Sequence, residues 1–207
     1  MSLLVEKCGR LDVFAGPMFS KKSSMLLQRL VNEAKIMNFR VLMINHSLDD
    51  RSDKGFSTHN PLYKDDLSKI TNLDFVSISD LEDIFSIIDD YDVIGIDEAQ
   101  FFVNLVEPVH LMVEKHGKTV IVAGLSGTWQ RTKFGQVIDL IPIATTFQLL
   151  ESWCSRCAKE KKKHAPAQFT QKIDQSKSKV NDIGSKDKYF PVCRKCHLET
   201  STSIDLS

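Results

Sequence analysis

The hydrophobic positions of this chain alternate between short continuous apolar runs and longer stretches with an apolar residue every three or four positions. The apolar runs predict strands at residues 11–16, 40–45, 73–78, 92–98 and 119–125. The helical periodicity predicts helices at residues 22–37, 79–89 and 104–116. Ser79 or Asp80 is the expected cap of the second helix. Strands that alternate with helices indicate a parallel α/β sheet.

The pattern changes after residue 150. Residues 155–188 are rich in Lys, Ser, Gln and Asp with little periodicity, and residues 197–207 have the composition of a loose tail. We therefore expect an α/β core over residues 1–150, a small lobe over 151–198 and a flexible tail over 199–207.

Length, composition and charge narrow the functional classes. The 207 residues, 42% of them hydrophobic, suffice for one buried core and a small appendage. The 27 basic and 27 acidic residues cancel, so no global field draws the chain to nucleic acid or to a membrane. No apolar run is long enough to span a bilayer, and residues 1–10 show no secretory signal, so we expect a cytoplasmic protein. The basic run at 159–164 lacks interleaved aromatic residues and is interpreted as a solvated loop.

Four of the five cysteines form two CxxC pairs, which residues 158–192 separate. A two-residue gap lets both thiolates of a pair turn toward one ion, and two such pairs complete a tetrahedral site. The spacing therefore predicts a structural Zn²⁺ site formed by Cys154, Cys157, Cys193 and Cys196. Four unrelated reduced thiols are the alternative. Cys8 is expected to be a free thiol, and His164 and His197, although possible substitute ligands, are expected to face solvent.

The stretch GPMFSKKSS at residues 16–24 lies between the first predicted strand and the first predicted helix. It approximates the P-loop pattern GxxxxGK[ST], with Lys22 at the lysine position and Ser23 at the Mg²⁺-binding hydroxyl. Lys21 replaces the glycine, and its side chain would cost about 1–2 kcal/mol if φ is positive there. A helix N-terminus with a lysine-rich first turn is the alternative interpretation.

Two carboxylates end the predicted strand at 92–98. Asp97 is placed to hold Mg²⁺ opposite Ser23, and Glu98 to take a proton from an attacking hydroxyl. A polar strand exit would also explain the two carboxylates. The combination with the loop at residues 16–24 favours an Mg–ATP site, because the two motifs together are much rarer than either alone.

Several motifs in order over residues 11–196 resemble the zinc-containing type II thymidine kinase family. GPMFSKKSS is similar to the family's GPMFSGK[ST][ST], and IDEAQFF matches its pattern outright. LDDRSDKGFSTHN at 48–60 is similar to the family's D-[TS]-R…TH segment, and GLSGTWQRTKFG at 124–135 to its LDGTFQRKPFG. AQFTQK at 167–172 and IGSKDKYFPVC at 183–193 resemble [FY]-T-x-R and IGGxDxYxxxC.

The resemblance implies a P-loop (RecA-like) core with a parallel sheet flanked by helices, and a zinc-binding lobe that carries a lasso loop over the nucleoside. It implies transfer of the γ-phosphoryl group of ATP to the 5′-hydroxyl of thymidine or deoxyuridine with Mg²⁺, in pyrimidine deoxynucleotide salvage. It also implies a homotetramer and inhibition by thymidine triphosphate (dTTP).

The resemblance assigns site residues as well. Glu98 is the implied general base, and Ser23 and Asp97 are the implied Mg²⁺ ligands. The implied ATP- and phosphate-binding residues are Gly16, Pro17, Met18, Phe19, Ser20, Lys21, Lys22, Ser23, Ser24, Asp49, Arg51, Asp97 and Gln100. The implied thymidine-binding residues are Met18, Phe101, Leu125, Trp129, Phe134, Phe169, Thr170, Val180, Asn181, Asp182, Ile183, Gly184 and Tyr189.

The chain departs from the family pattern at Lys21, Ser126, Trp129, Lys172, Asp182 and Ser185. These changes leave open a nucleotide-binding relative with weakened catalysis and a regulatory or assembly role. The letters DEAQ also suggest a helicase box, but a core over 1–150 is too short for the two lobes of such motors. A zinc-ribbon nucleic-acid binder is disfavoured by the neutral charge.

Overall fold

The structure is a computed structural model that describes residues 8–48, 67, 69–160, 164–173 and 188–201. The strands are β1 (Arg10–Gly16), β2 (Val41–His46), β3 (Leu73–Ile78), β4 (Val93–Ile96), β5 (Thr119–Leu125), β6 (Thr146–Leu149), β7 (Ser152–Trp153), β8 (Pro166–Ala167), β9 (Phe169–Lys172) and β10 (Tyr189–Val192). The α-helices are α1 (Lys22–Lys35), α2 (Val106–Glu114), α3 (Ser155–Lys159) and α4 (Arg194–Ser201). Short 3-10 helices cover Leu81–Ser86, Ile88–Asp90, Ala99–Phe101 and Val137–Ile143.

Six strands form one sheet in the order β3-β2-β4-β5-β1-β6, and every neighbouring pair is parallel. The predicted parallel α/β sheet flanked by helices is therefore confirmed. The carboxyl ends of parallel strands meet at one edge, so the segments that follow β1, β4 and β5 come together there. This carboxyl edge carries most of the predicted site residues.

The two faces of the sheet bury separate hydrophobic clusters. Leu11 and Val13 of β1 pack on the cluster that includes α2, whereas Phe14 packs with α1 on the opposite face. This alternation is the period of two that a strand imposes. Helix α1 approaches β4 so closely that a Cβ on Gly95 would lie 2.4 Å from Leu30 Cδ1. The close approach fixes the start of α1, and with it the loop from β1, over the carboxyl edge.

The structure differs from the predicted local elements in three places. The predicted helix at 79–89 is two short 3-10 helices, and its cap is Asp80, whose carboxylate accepts a hydrogen bond from Glu82 N at 3.0 Å. The buried Leu81 and Ile84 stand three positions apart, the repeat of a 3-10 turn. Strand β6 was missed because it is short and lies at the sheet edge, where Leu149 is 64% exposed. Helix α4 continues to Ser201, three residues into the predicted tail.

We call residues 151–198 the cysteine lobe, and its described residues form a small core. Two antiparallel strand pairs, β7–β8 and β9–β10, frame it. The buried members of its apolar cluster, among the described residues, are Cys154, Ala167, Val192 and Cys196. The apolar burial in the described part of the lobe is too small to stabilise it alone, which agrees with a metal site there. None of the helices in the described part of the chain is both long and apolar enough to cross a membrane.

Candidate functional site

The loop from β1 to α1, residues 16–22, folds back on itself, and we call it loop 16–22. Pro17 O accepts hydrogen bonds from Lys22 Nζ at 2.7 Å and from Ser20 Oγ at 2.9 Å. A Cβ on Gly16 would lie 2.6 Å from Leu150 O and 2.8 Å from Ser20 Oγ, so only glycine fits there. The loop therefore brings the Lys22 ammonium to the N-terminus of α1, where helix dipole and charge both favour an anion.

Two residues of loop 16–22 adopt left-handed backbone conformations. Phe19 has φ 62°, and Lys21 has φ 65° and ψ 20°. The positive φ that makes glycine favourable in this motif is thus present at Lys21, which bears a side chain. That side chain is exposed and does not cap α1. The conformation costs Lys21 about 1–2 kcal/mol.

Ser23, in the first turn of α1, meets the residue that follows β4. Ser23 Oγ donates to Asp97 Oδ1 at 3.0 Å, and Glu98 N donates to the same oxygen at 2.9 Å. Burial, reinforced by the neighbouring Glu98 charge, raises the pKa of Asp97 to about 7, although the Ser23 hydrogen bond and the Lys22 charge oppose the shift. A hydroxyl and a carboxylate oxygen at this distance are the hard ligands that Mg²⁺ uses in phosphate sites.

Glu98 follows Asp97 in a left-handed conformation with φ 49°. Gln100 Nε2 donates to Glu98 Oε2 at 2.6 Å, and Gln100 Oε1 accepts from Leu125 N at 2.9 Å. The Gln100 amide, predicted to bind phosphate, joins Glu98 to the end of β5 in this structure. Two carboxylates, a hydroxyl and an ammonium consequently share the carboxyl edge.

Aromatic side chains lie on the segments that follow β4 and β5. The rings of Phe101 and Phe134 meet edge to face, with centroids 5.8 Å apart and planes at 88°. Both rings are half-buried, as are Leu125 and Trp129 on the segment after β5. Predicted nucleoside-contacting residues thus lie on the segments that follow β4 and β5, at the same sheet edge as Glu98.

The cysteine lobe contacts the core at several segments of the carboxyl edge. Met18 N donates to Thr170 Oγ1 at 3.0 Å, and Ser152 Oγ donates to Phe19 O at 3.1 Å. His197 Nε2 lies 3.0 Å from Trp129 O. These contacts join the lobe both to loop 16–22 and to the segment after β5.

The placement of His197 corrects a prediction. It is buried, with 6% of its surface exposed, and does not face solvent, because α4 presents it to the segment after β5. The sequence signal for this contact is weak, since a single histidine in a polar helix does not reveal which way it points. His164 is exposed, as expected, and its ring lies 5.5 Å from that of Trp153.

The four paired cysteines converge. Their Sγ atoms all lie within 4.8 Å of one another, and Cys157 Sγ is 3.9 Å from Cys193 Sγ and 3.6 Å from Cys196 Sγ. Tetrahedral Zn²⁺ with bonds of about 2.3 Å spaces its thiolates about 3.8 Å apart. Burial raises the pKa of Cys154, but backbone N–H groups of Cys157 and Cys193 outweigh it and bring the pKa to about 7. The cluster can therefore hold zinc.

Three further predicted residues have surroundings other than loop 16–22 and the two carboxylates, and others lie outside the described residues. Ser24 is exposed on α1, Phe169 lies against His197 with ring centroids 5.6 Å apart, and Tyr189 is buried opposite Lys172. The predicted residues outside the described part of the chain are Asp49, Arg51, Val180, Asn181, Asp182, Ile183 and Gly184.

Comparison with known proteins identifies relatives along nearly the whole chain. The profile of the family described as thymidine kinase matches residues 9–197. The thymidine kinase of Variola virus is 36% identical over 192 residues, which cover 93% of this chain and 98% of the viral protein. The thymidine kinase of Vaccinia virus (strain Western Reserve) is 35% identical with the same coverage. That of Myxoma virus (strain Uriarra) is 36% identical over 92% of this chain and 97% of its own length.

Proposed function

The chain belongs to the thymidine kinase family, and from this membership we propose that it transfers the γ-phosphoryl group of ATP to the 5′-hydroxyl of thymidine or deoxyuridine in pyrimidine deoxynucleotide salvage. The observation that carries the proposal is the meeting of Ser23, Asp97 and Glu98 beside loop 16–22. Phosphoryl transfer needs cationic and Mg²⁺-binding groups around the phosphates and a base at the attacking hydroxyl. Lys22 would supply the cation, Ser23 and Asp97 the Mg²⁺ ligands, and Glu98 the base.

Loop 16–22 is the proposed P-loop. Its backbone and the side chains of Ser20 and Lys21 would surround the phosphates, and the Lys22 ammonium would exchange its bond to Pro17 O for phosphate oxygens. Ser23 and Asp97 would hold Mg²⁺, which neutralises charge on the transferring group. The Ser23–Asp97 distance of 3.0 Å supports this pair as ligands of one ion.

Glu98 is the proposed general base. The 5′-oxygen of the nucleoside forms a bond to the γ-phosphorus while the bond from that phosphorus to the β–γ bridging oxygen breaks, and the hydroxyl proton passes to the Glu98 carboxylate. ADP and the nucleoside monophosphate are the products. Phe101 follows Glu98 on the short 3-10 helix, and Phe134 lies on the segment after β5. These half-buried rings would line the pocket of the pyrimidine ring of the nucleoside.

The remaining nucleoside contacts are proposed on the cysteine lobe. Phe169, Thr170 and Tyr189, together with the lasso residues 180–184, would enclose the nucleoside and exclude water, which otherwise competes for the phosphoryl group. The hydrogen bond between Met18 N and Thr170 Oγ1 supports a lobe that closes on loop 16–22. Structural Zn²⁺ at the four cysteines would fix the base of this lobe.

The family resemblance also supports a cytoplasmic homotetramer that dTTP inhibits, with residues 1–150 and 151–198 as its two units. Size-exclusion chromatography with light scattering tests the tetramer by giving the mass of the assembly. A thymidine-kinase-like binder without transfer activity is the less favoured alternative, because Ser23, Asp97 and Glu98 keep a geometry suited to transfer.

A panel of acceptors tests the proposal. Purified protein with Mg²⁺ and ATP is offered thymidine, deoxyuridine, deoxycytidine and deoxyguanosine in turn, and ADP formation is followed. We expect thymidine and deoxyuridine to be phosphorylated well above the two other nucleosides. ADP formation that does not depend on any nucleoside would instead indicate an ATPase, and the proposal would be wrong.

A further inference from the structure

Gln100 lies in an unusual place for a phosphate ligand. Only 3% of its surface is exposed, and both ends of its amide are engaged. Its Nε2 donates to Glu98 Oε2 at 2.6 Å, and its Oε1 accepts from Leu125 N at 2.9 Å. The amide therefore links the carboxylate after β4 to the backbone at the end of β5.

The chemistry of the two partners fixes the orientation of this amide. Leu125 N–H can only donate, so the amide oxygen must face it. An ionised Glu98 carboxylate can only accept, so the amide NH₂ must face that side. Both requirements select the same rotamer, and the usual ambiguity between the two ends of a glutamine side chain does not arise.

The surroundings leave the Gln100 side chain little room to move. A Cβ on Gly124 would lie 3.1 Å from Gln100 Oε1 and 2.7 Å from Val137 Cγ2. A Cβ on Gly135, which has φ 58°, would lie 2.4 Å from Gln100 O. Gly124 therefore lets the end of β5 approach the amide oxygen, and Gly135 lets the segment after β5 approach the main chain of Gln100.

Glu98 needs such support, because a glutamate in the left-handed region is strained and persists only where its surroundings hold it. We propose that Gln100 is a positioning residue that fixes the rotation of the Glu98 carboxylate for proton removal, and that it does not bind phosphate. This inference rests on the proposed function, in which Glu98 is the general base. It deepens that function by assigning the residue that sets the direction of the base.

Two substitutions separate the contacts of Gln100. Gln100→Glu keeps an oxygen for Leu125 N but sets a second carboxyl group against Glu98 in place of the amide donor, whereas Gln100→Met removes both contacts at similar volume. Misdirection of a base costs up to about a hundredfold in rate, so we expect kcat to fall by about tenfold to a hundredfold in both variants. KM for ATP should stay within about threefold, because no ground-state contact with phosphate is lost.

Gln136 offers a matched control. Its Oε1 accepts from Leu105 N at 2.8 Å and from Val106 N at 3.1 Å, so it also ties backbone N–H groups with a glutamine amide. Gln136→Met should lower the melting temperature and leave kcat unchanged. A role of Gln100 in stability alone predicts the same behaviour for Gln100→Met, which adds no charge beside Glu98.

The Glu98→Gln background gives the sharpest distinction. If Gln100 acts through Glu98, adding Gln100→Met to Glu98→Gln should lower kcat by less than about twofold further. If the two losses in kcat multiply in the double variant, the inference is overturned, and full activity of Gln100→Met or a KM effect confined to ATP would overturn it as well. A wild-type protein that transfers nothing to thymidine would instead overturn the proposed function, and the two failures are distinguished by the wild-type rate.

Discussion

Replacing Lys21 with glycine should stabilise the protein. Lys21 precedes α1 with φ 65° and ψ 20°, a conformation that glycine adopts freely and lysine does not. Its exposed side chain does not cap the helix, so removing that side chain costs the folded state little stability.

The magnitude follows from two opposing contributions. Relief of the left-handed conformation is worth about 1–2 kcal/mol. Glycine also gives the unfolded chain more conformational entropy, which reduces the gain in stability by about 0.4–1 kcal/mol. The net gain of about 0.5–1 kcal/mol corresponds to a rise in melting temperature of about 1–4 °C for a chain of this size.

Thermal unfolding of wild type, Lys21→Gly and Lys21→Ala measures this gain. Alanine removes the same ammonium but keeps a Cβ at positive φ, so Lys21→Ala should melt within about 1 °C of wild type. A glycine variant no more stable than the alanine variant would refute the strain argument. The KM for ATP measures separately what the Lys21 ammonium contributes to ATP binding, because both variants lack this charge.

Two further predictions concern the metal sites. Burial raises the pKa of Asp97 from 3.8 to about 7, so the folded, Mg²⁺-free protein binds this proton more tightly than the unfolded chain does. Ionised Asp97 therefore lowers the free energy of unfolding. This loss of stability is absent below about pH 4, grows between about pH 4 and 7 and is complete above about pH 7. Asp97→Asn should therefore raise the melting temperature more at about pH 8 than at about pH 5, and an equal rise at both would contradict this assignment. Chelation of zinc should weaken thymidine binding measured by calorimetry, because α4 carries both Cys196 and the His197 that contacts Trp129 O. An affinity for thymidine that chelation leaves unchanged would show that the cysteine lobe does not organise the nucleoside pocket.

The sequence predicts the sheet and its carboxyl edge well for a physical reason. Runs such as 92–98 and 119–125 are apolar on both faces, and only strands of a covered parallel sheet need that pattern. Since parallel strands place their carboxyl ends together, the positions of Ser23, Asp97 and Glu98 at one edge follow from the same pattern. The match to GxxxxGK[ST], in which glycine stands at this position, indicates that Lys21 can have a positive φ, and the structure has it.

Other features depend on tertiary contacts that no local pattern encodes. The bridge from Gln100 to Leu125 N requires the register between β4 and β5, which fixes where the two strands end. The burial of His197 depends on how α4 docks against the core. Strand β6 has too few residues to show a period, and its pairing with β1 alone makes it a strand.

Transfer of labelled phosphate tests the central claim most directly. Wild-type protein and Glu98→Gln are each incubated with Mg²⁺, thymidine and ATP labelled in the γ-phosphoryl group, and nucleoside monophosphate is separated and counted. The account predicts labelled thymidine 5′-monophosphate from wild type and a yield lower by about a hundredfold or more from Glu98→Gln. No labelled monophosphate from wild type, or equal yields from the two proteins, would contradict it.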